Sequence, residues 1–283
     1  MPDFFIVGGQ RCGTTSLHYY LNQHDLIFLP DLKEPHYYSQ KSIPSYLSKI
    51  TNKQDYLSLF NRSNSNFKGD SSTSYLMDKE CPELIKKDYP NSKIIICLRN
   101  PIERTYSAYL AQFRSNRTNL DFDDIIKIDP NSLIGDEQKS LNLLNSNYFD
   151  QVSKYIEIFK PENVKIILTE ELIHSPSTIL SDLLLFLNIE QPFQKLDLEQ
   201  KNKFKWPKNR ISKIILNSPL ITNSLIPKII PSFIRYFIFS KLTINKKPEM
   251  KKESRIYLKN KYSDDVKKLS NLLGITLPWK DFD

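Results

Sequence analysis

Glycine is scarce in this 283-residue chain: there are six, and three of them fall at positions 8, 9 and 13. Cysteine is scarcer, at Cys12, Cys81 and Cys97. An odd number with no pair at metal-ligand spacing indicates neither a disulfide framework nor a zinc site. It fits a reducing, cytoplasmic compartment. No run approaches the roughly 18 apolar residues of a membrane span. Met1 is followed almost at once by Phe4-Phe5-Ile6-Val7, too short and wrongly flanked for an export signal. No carboxylate cluster is spaced to hold a metal, so none is expected. Internal repeats and long linkers are also missing.

What is present is ordinary globular material, 40% apolar and 25% charged. That is enough for a real core, and α/β folds of this length form single units. Phe4–Val7, Leu26–Leu29, Lys93–Leu98 and Val164–Leu168 read as short strands. Thr14–Asn22, a stretch opening at Pro101, Tyr148–Phe159, Thr178–Leu187 and Lys251–Leu273 carry helical spacing. Strands alternating with helices predict a P-loop-like parallel sheet flanked by helices, in one domain over residues 1–283. Residues 201–248, cut by prolines at 207, 219, 227, 231 and 248, read as a helical insertion or lid.

The net charge of +8 is unevenly spread. Residues 201–252 hold 13 Lys/Arg and one acid, Glu249, against 27 basic and 31 acidic residues elsewhere. A localised positive region points to an anionic ligand, an acidic polymer or a lipid surface. Phe233–Phe239 with its flanking lysines has the composition of a peripheral membrane contact, and Phe204, Trp206, Phe233 and Phe237 are candidates to stack on a base or line a groove. The alternative is a basic lid with a buried apolar face. No nucleic-acid partner is expected.

The chemistry is written in two places. Gly8-Gly9-Gln10-Arg11-Cys12-Gly13-Thr14-Thr15 joins a strand to a helix with the spacing G-x-x-x-x-G-T-T. This differs from the nucleotide-binding P-loop at one position. Glycines let backbone N–H groups turn inward, and the helix N-terminus adds positive potential. Thr14, Thr15 and Ser16 can donate to phosphate oxygens. Thr14 stands where an NTPase has its lysine, and the cation has moved to Arg11. There it can meet charge developing on a leaving group. The second place is the end of Lys93–Leu98. An NTPase often ends such a strand in a magnesium-binding aspartate; this one ends in Arg99-Asn100-Pro101, with Ser107 eight residues on. A cation at a strand end beside the cradle suits a second phosphate rather than a metal.

These residues resemble the PAPS-dependent sulfotransferase family, PAPS being 3′-phosphoadenosine 5′-phosphosulfate. Its 5′-phosphosulfate loop is similar to Gly9–Leu17, and its 3′-phosphate motif to Ile94–Leu98, Arg99-Asn100-Pro101 and Arg104–Tyr109. The heparan-sulfate (carbohydrate) type and its bacterial relatives look most alike, through Lys33-Glu34-Pro35-His36-Tyr37-Tyr38, Asp70–Leu76, Tyr148–Phe159 and Lys247-Pro248-Glu249-Met250 through Trp279. Departures are visible. Arg11 stands where that type usually has lysine, and Ser71 where it often has lysine near the acceptor. Its lysine–glycine–arginine cofactor loop reads here as Thr243-Ile244-Asn245, with Lys246 and Lys247 as the nearest replacements. The insertion over 210–245 has no counterpart in it.

The resemblance implies in-line transfer of a sulfuryl group from PAPS to an acceptor hydroxyl, leaving adenosine 3′,5′-bisphosphate, without a metal. It implies cofactor binding by Gln10, Arg11, Cys12, Gly13, Thr14, Thr15, Ser16, Arg99, Ser107, Lys246 and Lys247. Glu34 is the candidate general base, because a carboxylate pressed among Pro35, Tyr37, Tyr38 and Phe28 would have a raised pKa. His36 is the alternative base, and Arg11 and Lys33 would balance leaving-group charge. The acceptor is expected to be a glycan or glycolipid. The rival readings are a P-loop kinase or NTPase and a basic protein that binds membranes or acidic polymers.

Overall fold

A computed structural model describes the chain except at residues 62–64, 66, 143, 145, 199–205, 209–211, 213–214, 217–240 and 245. In chain order the principal elements are β1 (Phe4–Gly8), α1 (Thr14–Leu21), β2 (Ile27–Phe28), α2 (Lys53–Ser58), β3 (Phe67–Ser71), α3 (Cys81–Asp88), β4 (Lys93–Leu98), α4 (Pro101–Arg114), α5 (Phe122–Ile125), α6 (Gly135–Asn142), α7 (Phe149–Phe159), β5 (Val164–Leu168), α8 (Thr169–His174) and α9 (Pro176–Phe186). A two-residue antiparallel pair, β6 (Trp206–Pro207) and β7 (Thr243–Ile244), and the long helix α10 (Lys252–Leu273) complete them.

The five long-range strands form one parallel sheet in the order β2-β3-β1-β4-β5. Parallel sheets are covered on both faces, so their strands read as unbroken apolar runs. Every residue of β1 is buried. Successive side chains point to opposite faces. Phe5, Val7, Ile94, Ile96 and Leu98 pack with α3, α4, α7 and α10 on one side. Phe4, Ile6, Ile95 and Cys97 pack with α1 and α9 on the other. β1 lies between β3 and β4, so the chain leaves it first to one side and then to the other. That switch opens a crevice at the carboxyl ends of β1 and β4, where open α/β sheets bind ligands. The glycine loop and Arg99 therefore emerge side by side.

Lys93–Leu98 and Val164–Leu168 are strands with the expected bounds, while Leu26–Leu29 shortens to Ile27–Phe28. β3 has no apolar run to announce it. Its polar groups are satisfied inside instead: Lys68 Nζ donates to Phe60 O at 2.9 Å, and Asp70 accepts three hydroxyls. At Gly69 a Cβ would sit 2.3 Å from the Phe4 ring, so only glycine lets β3 approach β1.

Most of the expected lid, including Phe204, Phe233 and Phe237, lies outside the described residues, and so does the proposed lipid-facing stretch. Its two ends meet in β6 and β7, and the Trp206 ring stacks on Phe113 of α4, 5.8 Å between centroids. Among the described residues no helix is long and apolar enough to cross a membrane.

Candidate active site

The loop after β1 ends at Gly13, whose φ of 80° sets the left-handed turn into α1. Arg11, at φ 68°, is also left-handed, an arrangement non-glycine residues hold only where neighbours impose it. Those neighbours are identifiable. Arg104, buried on α4, donates from Nε to Gln10 O at 3.0 Å. Arg99 Nη1 donates to Arg11 O at 3.4 Å. The Thr169 hydroxyl, at the start of α8, lies 2.9 Å from both Cys12 O and Leu98 O, stitching the loop to β4. Tyr148 OH donates to Arg99 O at 2.9 Å.

Asn100 starts α4 by accepting from the N–H groups of Ile102 and Glu103, and Pro101 occupies the first turn. Ser107, Ala111 and Arg114 then recur at helical spacing along a cavity of about 610 Å³. Gln10, Arg11, Gly13, Thr14, Thr15 and Ser16 line it from the loop and α1, and Leu172, Ile173 and Pro176 line it from α8 and α9. Among the described residues its charged lining is Arg11, Arg99, Arg114 and Arg117 against Glu34 alone. Burial, then the charges of Arg114, Arg99 and Arg104, lower the pKa of Arg11. Like charges are held together here, as expected of a site that receives a multiply charged anion. Arg11 Nε donates to Ser107 Oγ at 3.1 Å, which links the loop cation to the α4 serine.

Glu34 closes the cavity from the loop that follows β2. Lys33 Nζ lies 2.7 Å from its Oε1, and His36 Nε2 lies 3.5 Å from its Oε2. His36 Nδ1 is 2.7 Å from Ser74 Oγ, which is 2.5 Å from Ser39 Oγ. Burial lowers the pKa of His36, so the ring is neutral at neutral pH. A neutral ring presents one N–H, and with Nδ1 accepting from Ser74 the Nε2–H faces the carboxylate.

A family model described as the sulfotransferase domain matches residues 1–224. The chain belongs to the sulfotransferase domain family. It is 28% identical to human carbohydrate sulfotransferase 15 over 163 residues, 43% of this chain and 29% of that protein. It is 25% identical to human bifunctional heparan sulfate N-deacetylase/N-sulfotransferase 3 over 199 residues, 67% of this chain and 22% of that protein. The matches thus span less than a third of these relatives. The crystal structure of a sulfotransferase from Alicyclobacillus acidocaldarius superposes with a TM-score of 0.73 at 25% identity, covering 99% of both chains. The parallel five-stranded sheet with flanking helices is the sulfotransferase fold.

The sulfotransferase cavity gathers Gln10, Arg11, Gly13, Thr14, Thr15, Ser16, Glu34, Arg99 and Ser107 from the predicted set. Lys33 and His36 reach it through Glu34. Cys12 points away: its thiol is fully buried 3.8 Å from Tyr148 OH, and burial raises its pKa. Only its backbone belongs to the loop. Lys246 and Lys247 are not in the described lining. Lys247 Nζ is held by Glu103 at 2.8 Å and sits over the Tyr106 ring. Tyr37 and Tyr38 pack with one another and with Tyr56 rather than around Glu34, whose side chain is 30% exposed. Sequence reasoning missed Arg114, Arg117 and Thr169, and it placed Arg104 in the 3′-phosphate motif without a role. Helical spacing from Ser107 was the available signal for Arg114; nothing local marks Thr169, more than 60 residues from the motifs it joins. Among the described residues no group of His, Cys, Asp and Glu could hold a metal ion.

Proposed function

We propose that this sulfotransferase moves a sulfuryl group from PAPS to a hydroxyl of a carbohydrate or glycolipid, with Glu34 as general base. One observation carries the reading: the glycine loop, Arg99, Ser107 and Glu34 line a single cavity that, among the described residues, holds four arginines and one carboxylate. The lining fits the donor, because two phosphate-sized anions need two separate sets of donors. The loop N–H groups with Thr14, Thr15 and Ser16 serve the 5′ end. Arg99 and Ser107 serve the 3′-phosphate.

When bound, PAPS supplies a sulfuryl group whose sulfur bonds to the acceptor oxygen as its bond to the bridging phosphate oxygen breaks. Glu34 takes the acceptor proton. Lys33 Nζ holds one carboxylate oxygen at 2.7 Å, which restricts its orientation, and His36 Nε2 stands 3.5 Å from the other. His36 is the alternative base; that role needs the other tautomer, with Nδ1–H donating to Ser74 and Nε2 free to accept. Arg11, moving from Ser107 toward the bridging oxygen, would meet the charge left on the phosphate. A carbohydrate acceptor is supported by the two human relatives, one a carbohydrate sulfotransferase and the other a heparan sulfate N-deacetylase/N-sulfotransferase.

The test is a PAPS transfer assay against an acceptor library, read by mass spectrometry of products. We expect sulfated glycan or glycolipid. Adenosine 3′,5′-bisphosphate should bind without magnesium and ATP poorly. Tight, magnesium-dependent ATP binding with no sulfated product would return the protein to the kinase or NTPase reading.

A further inference from the structure

Five consecutive polar residues, Asp70–Ser74, are buried at the carboxyl end of β3. Buried polar groups cost stability unless they are paired. Asp70 is fully enclosed, and its two oxygens take different partners. Oδ2 accepts from Tyr56 OH and Tyr75 OH, both at 2.9 Å. Oδ1 accepts from Ser72 Oγ at 2.8 Å. Ser72 Oγ in turn accepts the backbone N–H of His36 at 3.3 Å. Next to it, the Glu34 N–H donates to Ser71 O at 3.0 Å.

These bonds end on a strained segment. Glu34 has φ 60° and His36 φ 53°, both left-handed and neither glycine. Such residues persist only where surroundings hold them. The His36 tether, with the Glu34 N–H bond to Ser71 and the His36 ring against Ser74, keeps these two turns in a conformation the free chain would leave. A serine hydroxyl that donates to a carboxylate is also a better acceptor for the next N–H.

We propose that Asp70, acting through Ser72, is a positioning residue for the Lys33–His36 loop, holding Glu34 and His36 at the edge of the cavity. The proposal rests on the reading that this loop carries the base. Its energetic cost supports it: burial pushes the Asp70 carboxyl up to about 6 in spite of three donors.

The test uses Asp70→Asn, Ser72→Ala and the double variant. Asp70→Asn turns an N–H donor toward Ser72, so the serine hydroxyl loses its acceptor; Ser72→Ala removes the tether outright. A misplacement of about 1 Å can cost on the order of a hundredfold in rate. Each single variant should lower kcat by about tenfold or more, while the affinity for adenosine 3′,5′-bisphosphate stays within about twofold. Residues acting as one unit are non-additive, so the double variant should be no slower than the worse single. Asp70→Asn should keep the wild-type Tm at pH 7.5 or exceed it, whereas a purely structural aspartate would lose Tm and kcat together. Unchanged kcat in folded variants, rate losses that multiply, or a parallel fall in nucleotide affinity would each overturn the proposal. Should Ser72→Ala not fold, Asp70→Asn decides alone. If Glu34→Gln and His36→Ala both keep full turnover, the base assignment falls and the positioning role falls with it; if either collapses while the Asp70 and Ser72 variants do not, only the positioning role fails.

Discussion

Replacing Arg99 with alanine tests the phosphate assignment most directly. The guanidinium sits at the end of β4, half-buried, with one N–H held by Arg11 O at 3.4 Å and the rest of the group available to the cavity. A hydrogen bond to a charged group contributes about 1.5–3 kcal/mol. That corresponds to about 10- to 150-fold in Kd. A bare Coulomb estimate at about 4 Å and an effective dielectric near 20 gives about 4 kcal/mol, but the cavity is open to solvent and salt trims that figure. A second correction acts the same way. Arg99 is one of the like charges that depress the pKa of Arg11, so its removal relieves repulsion in the unliganded protein. The loss should therefore fall in the lower half of the range. Isothermal titration with adenosine 3′,5′-bisphosphate at physiological salt, without magnesium, measures it. Adenosine 5′-monophosphate, which lacks the 3′-phosphate, is the control and should bind both proteins alike. Equal bisphosphate affinity in folded wild type and variant would refute the assignment, and equal losses for both nucleotides would move Arg99 to the 5′ end.

Four further outcomes follow from the same geometry. Ser107→Ala removes one neutral donor, so bisphosphate affinity should drop less than in the Arg99 variant, by about 0.5–1.5 kcal/mol in the same titration. Glu34→Gln should leave nucleotide affinity near wild type and lower kcat by about a hundredfold or more in the transfer assay; full activity there, with collapse in His36→Ala, would move the base to His36. Arg114→Ala should weaken bisphosphate binding and flatten its salt dependence, since one cation leaves the cavity; an unchanged salt slope would remove Arg114 from the site. Burial raises the Asp70 carboxyl from 3.8 to about 6, so the folded state holds this proton more tightly than the unfolded chain. The contribution of this group to stability is therefore unfavourable at pH 7.5, by up to about 3 kcal/mol, and improves as pH falls through 6 toward 4. Tyr56, Tyr75 and Ser72 face it, and the charge of Glu34 adds to the shift. The Tm difference between Asp70→Asn and wild type should move in favour of wild type between pH 7.5 and pH 5; a pH-independent difference would count against a raised Asp70.

Local pattern was enough for the frame of the site. β1 and β4 are buried on both faces, so each is an unbroken apolar run that stands out without any knowledge of partners. The glycine loop and the Arg99–Ser107 pair are short-range spacings tied to a strand end and a helix start, and such spacings survive into three dimensions because backbone geometry sets them. Lys33, Glu34 and His36 were legible only through the resemblance of their loop, since no regular element spaces them. β3 was not, because its polar residues are paid for by hydrogen bonds to Phe60, Tyr56 and Tyr75, which no window of sequence shows. The same holds for Arg104 propping the loop, Thr169 joining Cys12 to Leu98, and Lys247 being captured by Glu103. Lysines 246 and 247 sit beside the segment that resembles a cofactor loop, yet adjacency in sequence says nothing about which acid a side chain meets after folding. The sequence by itself determined the glycine loop and the Arg99–Ser107 pair as anion binders. Tertiary packing decided which cations share one cavity and which carboxylate faces them, because pairing of charges depends on distance and burial, and both are set only when the sheet and its helices close.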